Sequence, residues 1–233
     1  MFVSRSMTRR VITVGPEAPI FEIQELMTQS RVRHIPVVEN DDKLVGIVSD
    51  RDLRSALPFR YFREGISPEE KAKLEGLQAK DIMTRKVLTI SPGYTIQDAL
   101  LLIQNAKVGA LPVVDDEGRL KGILSVRDLL RAFINVLGIG EPGTLLCILV
   151  EEKLGQLKKI VDAITAMGVG FGSVLVARYW EEDKRAVFPY LLTQNVAHVK
   201  KKLQEMGYTL LDPMQWYMDQ LPEEERPADK PKP

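Results

Sequence analysis

Three residue types recur at one spacing in two places, and together they could hold a phosphorylated sugar. Ser49, Arg51 and Asp52 stand in the run GIVSDRDL, residues 46–53, and Ser125, Arg127 and Asp128 stand in GILSVRDL, residues 122–129. A serine followed three positions later by an acidic residue, at a helix start, is a capping box in which each side chain satisfies an orphan backbone N–H. The same residues suit a nucleotide. A helix N-terminus presents free N–H groups and a positive dipole end to phosphate. The serine hydroxyl adds a donor, the arginine adds charge and a fork of donors, and a carboxylate can accept from both ribose hydroxyls. The two readings are compatible on the same residues.

Both runs belong to a longer duplication. Gly122 follows Gly46 by 76 positions, and the same displacement carries Met7-Thr8-Arg9 onto Met83-Thr84-Arg85, Thr13 onto Thr89 and Pro36-Val37-Val38 onto Pro112-Val113-Val114. Of the 51 pairs from residue 3 to residue 53, 19 are identical without a gap. A duplication of that length is read before any single motif.

The elements that must position these residues follow from patterning. Val11 to Val14 is short, β-branched and closed by Gly15-Pro16, which predicts a strand and a turn. Apolar residues at 20, 23, 26 and 27 predict a helix. His34 to Val38 and Leu44 to Val48, joined by the polar turn Glu39 to Asp42, predict a strand pair. Pro36 cannot donate to a ladder and belongs at a strand start, an edge or a bulge. A second helix opens at Asp50. The order is β-α-β-β-α.

A β-α-β-β-α unit carrying hydrophobic-Pro-Val and then Gly-hydrophobic-x-Ser-x-x-Asp resembles the CBS domain, and two in tandem resemble a CBS pair, or Bateman module, with a pseudo-twofold axis. The likeness covers residues 1 to about 134. It implies a cleft for an adenosyl ligand, AMP, ADP, ATP or S-adenosylmethionine, with the aspartate on the ribose, the serine near the phosphates, and the hydrophobic-Pro segment and early threonine bordering the base. Carried over, these are Thr13, His34, Ile35, Pro36, Ser49, Arg51 and Asp52 in the first copy. The second copy gives Thr89, Ala110, Leu111, Pro112, Ser125, Arg127 and Asp128. His34 meets Ala110 in the second copy, and reads either as a packed residue or as a base contact. Both prolines also admit a purely structural reading.

Between the copies, Leu57-Pro58 breaks a helix, and Phe59, Tyr61 and Phe62 follow among arginines. Ser67-Pro68-Glu69-Glu70 predicts a short helix to about Gln78, with Pro at its first position. This insertion resembles AcuB-type proteins, associated with acetoin use. In the second copy Thr95 with Asp98 predicts a capped helix with Ile96, Leu100 and Ile103 on its apolar face. Asp128 to Leu137 predicts an apolar helix packed on the partner repeat. Gly138-Ile139-Gly140-Glu141-Pro142-Gly143 matches the dinucleotide fingerprint in letters only. It follows a helix and precedes a strand, the reverse of what that motif needs, and it reads as a linker.

The remainder alternates again. Strand patterns at Thr144 to Val150, Val174 to Ala177, Ala186 to Leu191 and Tyr208 to Leu211 enclose helices that end at Gly168 and Gly207. The order β-α-β-β-α-β is ferredoxin-like, and after a CBS pair it resembles an ACT domain, which implies dimerisation or a second small-molecule effector. The ACT loop Asp-x-Pro-Gly becomes Glu152-Lys153-Leu154-Gly155 here, with the glycine kept. Gly155 is either part of an effector loop or a turn glycine. The predicted organisation is CBS repeat 1 at 1–60, a connector at 61–80, CBS repeat 2 at 81–137, a linker at 138–143, an ACT-like domain at 144–213 and a disordered, Pro-rich charged tail at 214–233. The fold class is α+β.

Composition excludes several classes. Lys plus Arg equals Asp plus Glu, 32 against 32, which argues against a nucleic-acid or anionic-membrane surface. A single cysteine and two histidines form no metal site, and Cys147 has no disulfide partner in the chain. The sequence has no signal-peptide pattern and no apolar run near the ~20 residues of a membrane helix, so a cytoplasmic location is expected. No Walker A or G-x-S-x-G motif is present, and no Cys or Ser has an evident His partner, so no enzyme is expected. The expectation is a regulatory protein, homodimeric, that binds an adenine nucleotide or S-adenosylmethionine and passes the signal to a partner. The alternatives are a constitutive scaffold with empty clefts and an amino-acid sensor acting through the last domain.

Overall fold

A computed structural model of the chain describes residues 1–57, 67–178 and 183–211, with residues 70 and 71 as backbone only. The aromatic cluster Phe59, Tyr61 and Phe62, the turn around Glu181 and the expected tail lie outside the described residues. Two compact units divide the chain, Met1–Ala132 and a second beginning at Phe133. The boundary falls inside a helix, a few residues before the expected linker at 138–143.

In the first unit the elements are α1 (Val3–Ser6), α2 (Ile20–Ser30), β1 (His34–Glu39), β2 (Lys43–Ser49), α3 (Asp50–Ala56), α4 (Pro68–Glu75), α5 (Ala79–Ile82), α6 (Ile96–Ala106), β3 (Ala110–Val114), β4 (Leu120–Ser125) and α7 (Val126–Leu137). The copies correspond element by element. Each forms a two-stranded antiparallel sheet, β1 with β2 and β3 with β4, in matching register: His34 faces Ser49 and Ala110 faces Ser125. Each carries an irregularity at the same place, Val37/Val38 and Val113/Val114. Helices α2 and α6 both end on a residue in the left-handed region, Arg31 and Lys107, each with φ 54°.

The expected strand at Val11 to Val14 shortens to a single bridge. Val14 donates to the Pro36 carbonyl at 3.2 Å and accepts from Val38 at 2.9 Å, running parallel to β1; Ile90 repeats this against Pro112 and Val114. Residues 11–13 carry no strand pairing. In α6 the buried face is Ile96, Ala99 and Ile103, while Leu100 is exposed. α7 buries Asp128, Leu129 and Ala132 and leaves Leu130 and Ile134, one turn apart, exposed.

The segments before each copy exchange partners, which periodicity alone does not announce. Thr8 pairs with Ile123 of the second copy through two hydrogen bonds of 2.9 Å, and Thr84 pairs with Ile47 of the first at 3.1 and 2.9 Å. Ala79, which opens α5, and Met83, which follows its last residue, are buried in the core of the first copy with Ile20, Ile23, Ile35 and Val48. Glycine makes this approach possible. A Cβ on Gly122 would stand 2.6 Å from the Met7 sulfur and 3.0 Å from the Thr8 carbonyl, and a Cβ on Gly46 would collide with Met83.

The second unit contains β5 (Thr144–Leu145), β6 (Cys147–Glu151), α8 (Gln156–Ala166), β7 (Phe171–Arg178), β8 (Lys184–Leu191), α9 (Ala197–Glu205) and β9 (Thr209–Leu211). The strands lie in the order β9-β6-β8-β7, all neighbours antiparallel. β5 and β6 keep one register along β8, Thr144 facing Leu191 and Ile148 facing Val187, so the single expected strand is interrupted at Leu146. Ile160, Ile164, Val199 and Leu203 of the two helices bury against Ile148, Val187 and Leu191. Gly168 and Gly207, at φ 73° and 87°, follow the helix ends as their sequence positions predict.

Candidate functional site

The end of each strand pair and the start of the following helix converge on a serine and an aspartate. Ser49 caps α3: its amide and hydroxyl donate to Asp52 Oδ2 at 2.8 and 2.7 Å, and its oxygen accepts from the Asp52 amide at 3.3 Å. Ser125 and Asp128 repeat the pattern at 2.9, 2.6 and 3.3 Å. The capping box is therefore real in both copies. It uses one carboxylate oxygen, Oδ2, and leaves Oδ1 for other partners.

The copies differ in what meets that oxygen. Asp128 is only 6% exposed, and its Oδ1 accepts from Arg131 at 3.3 Å and from the Thr8 hydroxyl at 3.4 Å. Asp52 is half-buried, and its Oδ1 has no hydrogen-bond partner among the described residues. Neither Thr8 nor Arg131 was singled out by motif. Thr8 belongs to the duplicated Met-Thr-Arg, a signal that could have drawn attention to it, while Arg131 replaces Ser55 of the first copy and breaks the repeat.

His34 starts β1 beside Ser49, and its ring packs on the second copy, where a Cβ on Gly109 would lie 2.6 Å from its Cε1. Burial pushes the imidazole below its ordinary value, while Asp50 and Asp52 oppose that shift and Arg33 and Arg51 add to it. His34 thus lies within electrostatic reach of both the carboxylate and the arginine of the motif. Arg51 and Arg127 are exposed. Ile35 and Leu111 are fully covered at 0% exposure and pack behind their strands, and Pro36, Ala110 and Pro112 are buried as well. Thr13 and Thr89, half-buried, precede the bridging residues Val14 and Ile90 and so lie alongside Pro36 and Pro112. Gly155 is the N-cap of α8 with φ 88°, and a Cβ there would meet nothing, so backbone conformation rather than crowding favours glycine. Near it Gln156, Lys159, Lys184 and Tyr208 border a cavity of about 570 Å³, and the Tyr208 hydroxyl donates to Gln156 Oε1 at 3.0 Å.

Among the described residues no cluster of three His, Cys, Asp or Glu could hold a metal, and no helix is long and apolar enough to cross a membrane. Burial raises the Cys147 thiol to about 11, which keeps it protonated and inert.

Comparison with known proteins identifies the family. The CBS domain family model matches residues 3–58 and 79–135. A CBS domain-containing protein of Dictyostelium discoideum is 31% identical over 137 residues, which span 59% of this chain and 94% of that protein. The chain belongs to the CBS-domain family and contains a tandem pair. It is 36% identical over 121 residues to inosine-5'-monophosphate dehydrogenase of Methanocaldococcus jannaschii, over 52% of this chain but only 21% of the enzyme. Among solved structures it is similar to the AcuB protein of Vibrio cholerae, with 28% identity, a TM-score of 0.51, and coverage of 61% of this chain and 98% of that one.

Proposed function

We propose that the chain is a non-catalytic regulatory protein of the cell interior whose CBS pair binds an adenosyl ligand, AMP, ADP, ATP or S-adenosylmethionine, and relays occupancy to a partner protein. The observation that carries this reading is the duplicated carboxylate, fixed by its own cap through Oδ2 so that Oδ1 is oriented without further ordering. Ribose hydroxyls are donors, and a preoriented acceptor loses little entropy on binding them. Ser49 and Arg51 stand three residues and one residue from that aspartate, on the phosphate side, and His34 stands on the base side. A ligand can shift the arrangement of the copies only by its differential affinity for two states. The exchanged arms at Thr8 and Thr84 are the links through which each copy feels the other's occupancy.

The second unit is, in this proposal, an ACT-like ferredoxin fold serving homodimerisation or a second effector. Its β-α-β-β-α-β order and its β9-β6-β8-β7 strand order support that reading. The cavity beside Gln156 favours a second effector, a small molecule such as an amino acid, with Gly155 turning the chain into α8.

A thermal-shift screen tests both. A native-state ligand at about 100 times its dissociation constant stabilises by roughly 2.7 kcal/mol, a rise of several degrees for units of this size. The expected result is a rise with an adenosyl compound that Asp52→Ala with Asp128→Ala removes. A rise with amino acids alone would move the function to the second unit, and no rise with any compound would favour a scaffold with empty clefts.

A further inference from the structure

The two copies are similar in sequence, yet among the described residues the oxygen that a ribose would need has no hydrogen-bond partner in one and two partners in the other. We propose that the clefts are inequivalent: the first copy takes the ribose through Asp52, and Arg131 latches the second. This rests on the adenosyl-ligand reading above and goes beyond it by assigning the occupied cleft.

Asp128 Oδ1 is held from two sides, by the Arg131 guanidinium and by the hydroxyl of Thr8, whose backbone is clamped to Ile123 by two hydrogen bonds. A ribose hydroxyl reaching this 6% exposed aspartate meets an oxygen that already accepts from a cation and from a neutral donor. At Asp52 no described residue has to be displaced from Oδ1. Position 55, which corresponds to Arg131, is serine, too short to bridge one helical turn to the carboxylate as a cation does. Thr84 corresponds to Thr8 and is clamped to Ile47 in the same way, but it makes no hydrogen bond to Asp52. The first copy also has the His34 ring where the second has the Ala110 methyl, so at this position only the first copy offers an aromatic surface to a purine.

Isothermal titration of the full chain with AMP, ADP, ATP and S-adenosylmethionine, each in turn, tests the assignment. The expected result is one site per chain for the compound that binds. Asp52→Asn, which keeps an acceptor for the cap while removing the charge, weakens that binding at least tenfold. Arg131→Ser copies the first cleft's residue into the second and raises the stoichiometry to two; adding Asp128→Asn returns it to one. Arg131 has a side chain 64% exposed, so its variant folds even where Asp52→Asn does not. Two sites in the wild-type chain, full affinity in Asp52→Asn, or one site in Arg131→Ser overturns the assignment while leaving nucleotide binding intact. No binding of any of the four compounds to the wild-type chain overturns both.

Discussion

His34 is held between burial, which favours the neutral ring, and the carboxylates of Asp50 and Asp52, which favour the charged one; burial prevails. With a folded-state value below the ordinary 6.5, the unfolded chain binds the proton more readily. Stability is therefore full above pH 6.5 and is lost as the pH falls below it. The wild-type midpoint in thermal melts should fall between neutral and mildly acidic pH by more than that of His34→Ala, the residue the second copy carries. An equal fall in both would show that His34 does not govern it. The caps make a second prediction at this scale. Ser49→Ala removes an acceptor from the Asp52 amide and a hydroxyl donor from the Asp52 carboxylate, at a cost of about 1 kcal/mol. Urea unfolding would read it, with Thr95→Ala in α6, another observed capping box, as the matched control.

At the scale of elements, the exchanged arms decide which residues can occupy β2 and β4. Gly122→Ala would place a methyl against the Met7 sulfur and the Thr8 carbonyl, and the carbonyl, being backbone in a bridge, has little room to yield. Overpacking of this kind costs about 1–3 kcal/mol. The effect should shrink in a Met7→Ala background, where the sulfur is gone, and a double-mutant cycle measures that coupling. Additive losses would mean that the arm is not what excludes a side chain at Gly122. The repeated Met-Thr-Arg and Gly-Ile were both visible in the sequence. Their contact was not, because the residues that touch are 115 positions apart, Met7 with Gly122, rather than in one copy.

For the whole molecule, the proposed homodimer gives the prediction. Leu130 and Ile134 of α7 are 60% and 45% exposed and lie on one face, an apolar surface that a second copy could cover. Sedimentation should give twice the mass of one chain, and Leu130→Lys should shift it toward a single chain without loss of helix content by circular dichroism. A wild-type chain that sediments alone would remove the dimer from the proposal. The helix itself was expected from its apolar content, but which stripe would be covered was not, since Asp128, Leu129 and Ala132 turn inward while Leu130 does not.

Local sequence suffices for the tandem CBS pair, for the strand pairs and main helices of each copy, and for the caps at Ser49, Thr95 and Ser125. Each depends on local spacing, on the ungapped repeat, or on residues three apart, and local hydrogen bonds and 3.6- or 2-residue periodicities suffice to specify them. Cores of both units were likewise legible as apolar faces, with exceptions such as Leu100. The exchange of arms, the shortening of the Val14 and Ile90 strands to bridges and the unequal surroundings of the two carboxylates emerge only in the folded chain. These depend on which distant segments meet. Thr8 reaches Asp128 across 120 residues, and no pattern within either repeat encodes that encounter. Duplication makes the two sites look alike in sequence, and the chain folds them into different surroundings because one arginine and one histidine lack counterparts in the other copy.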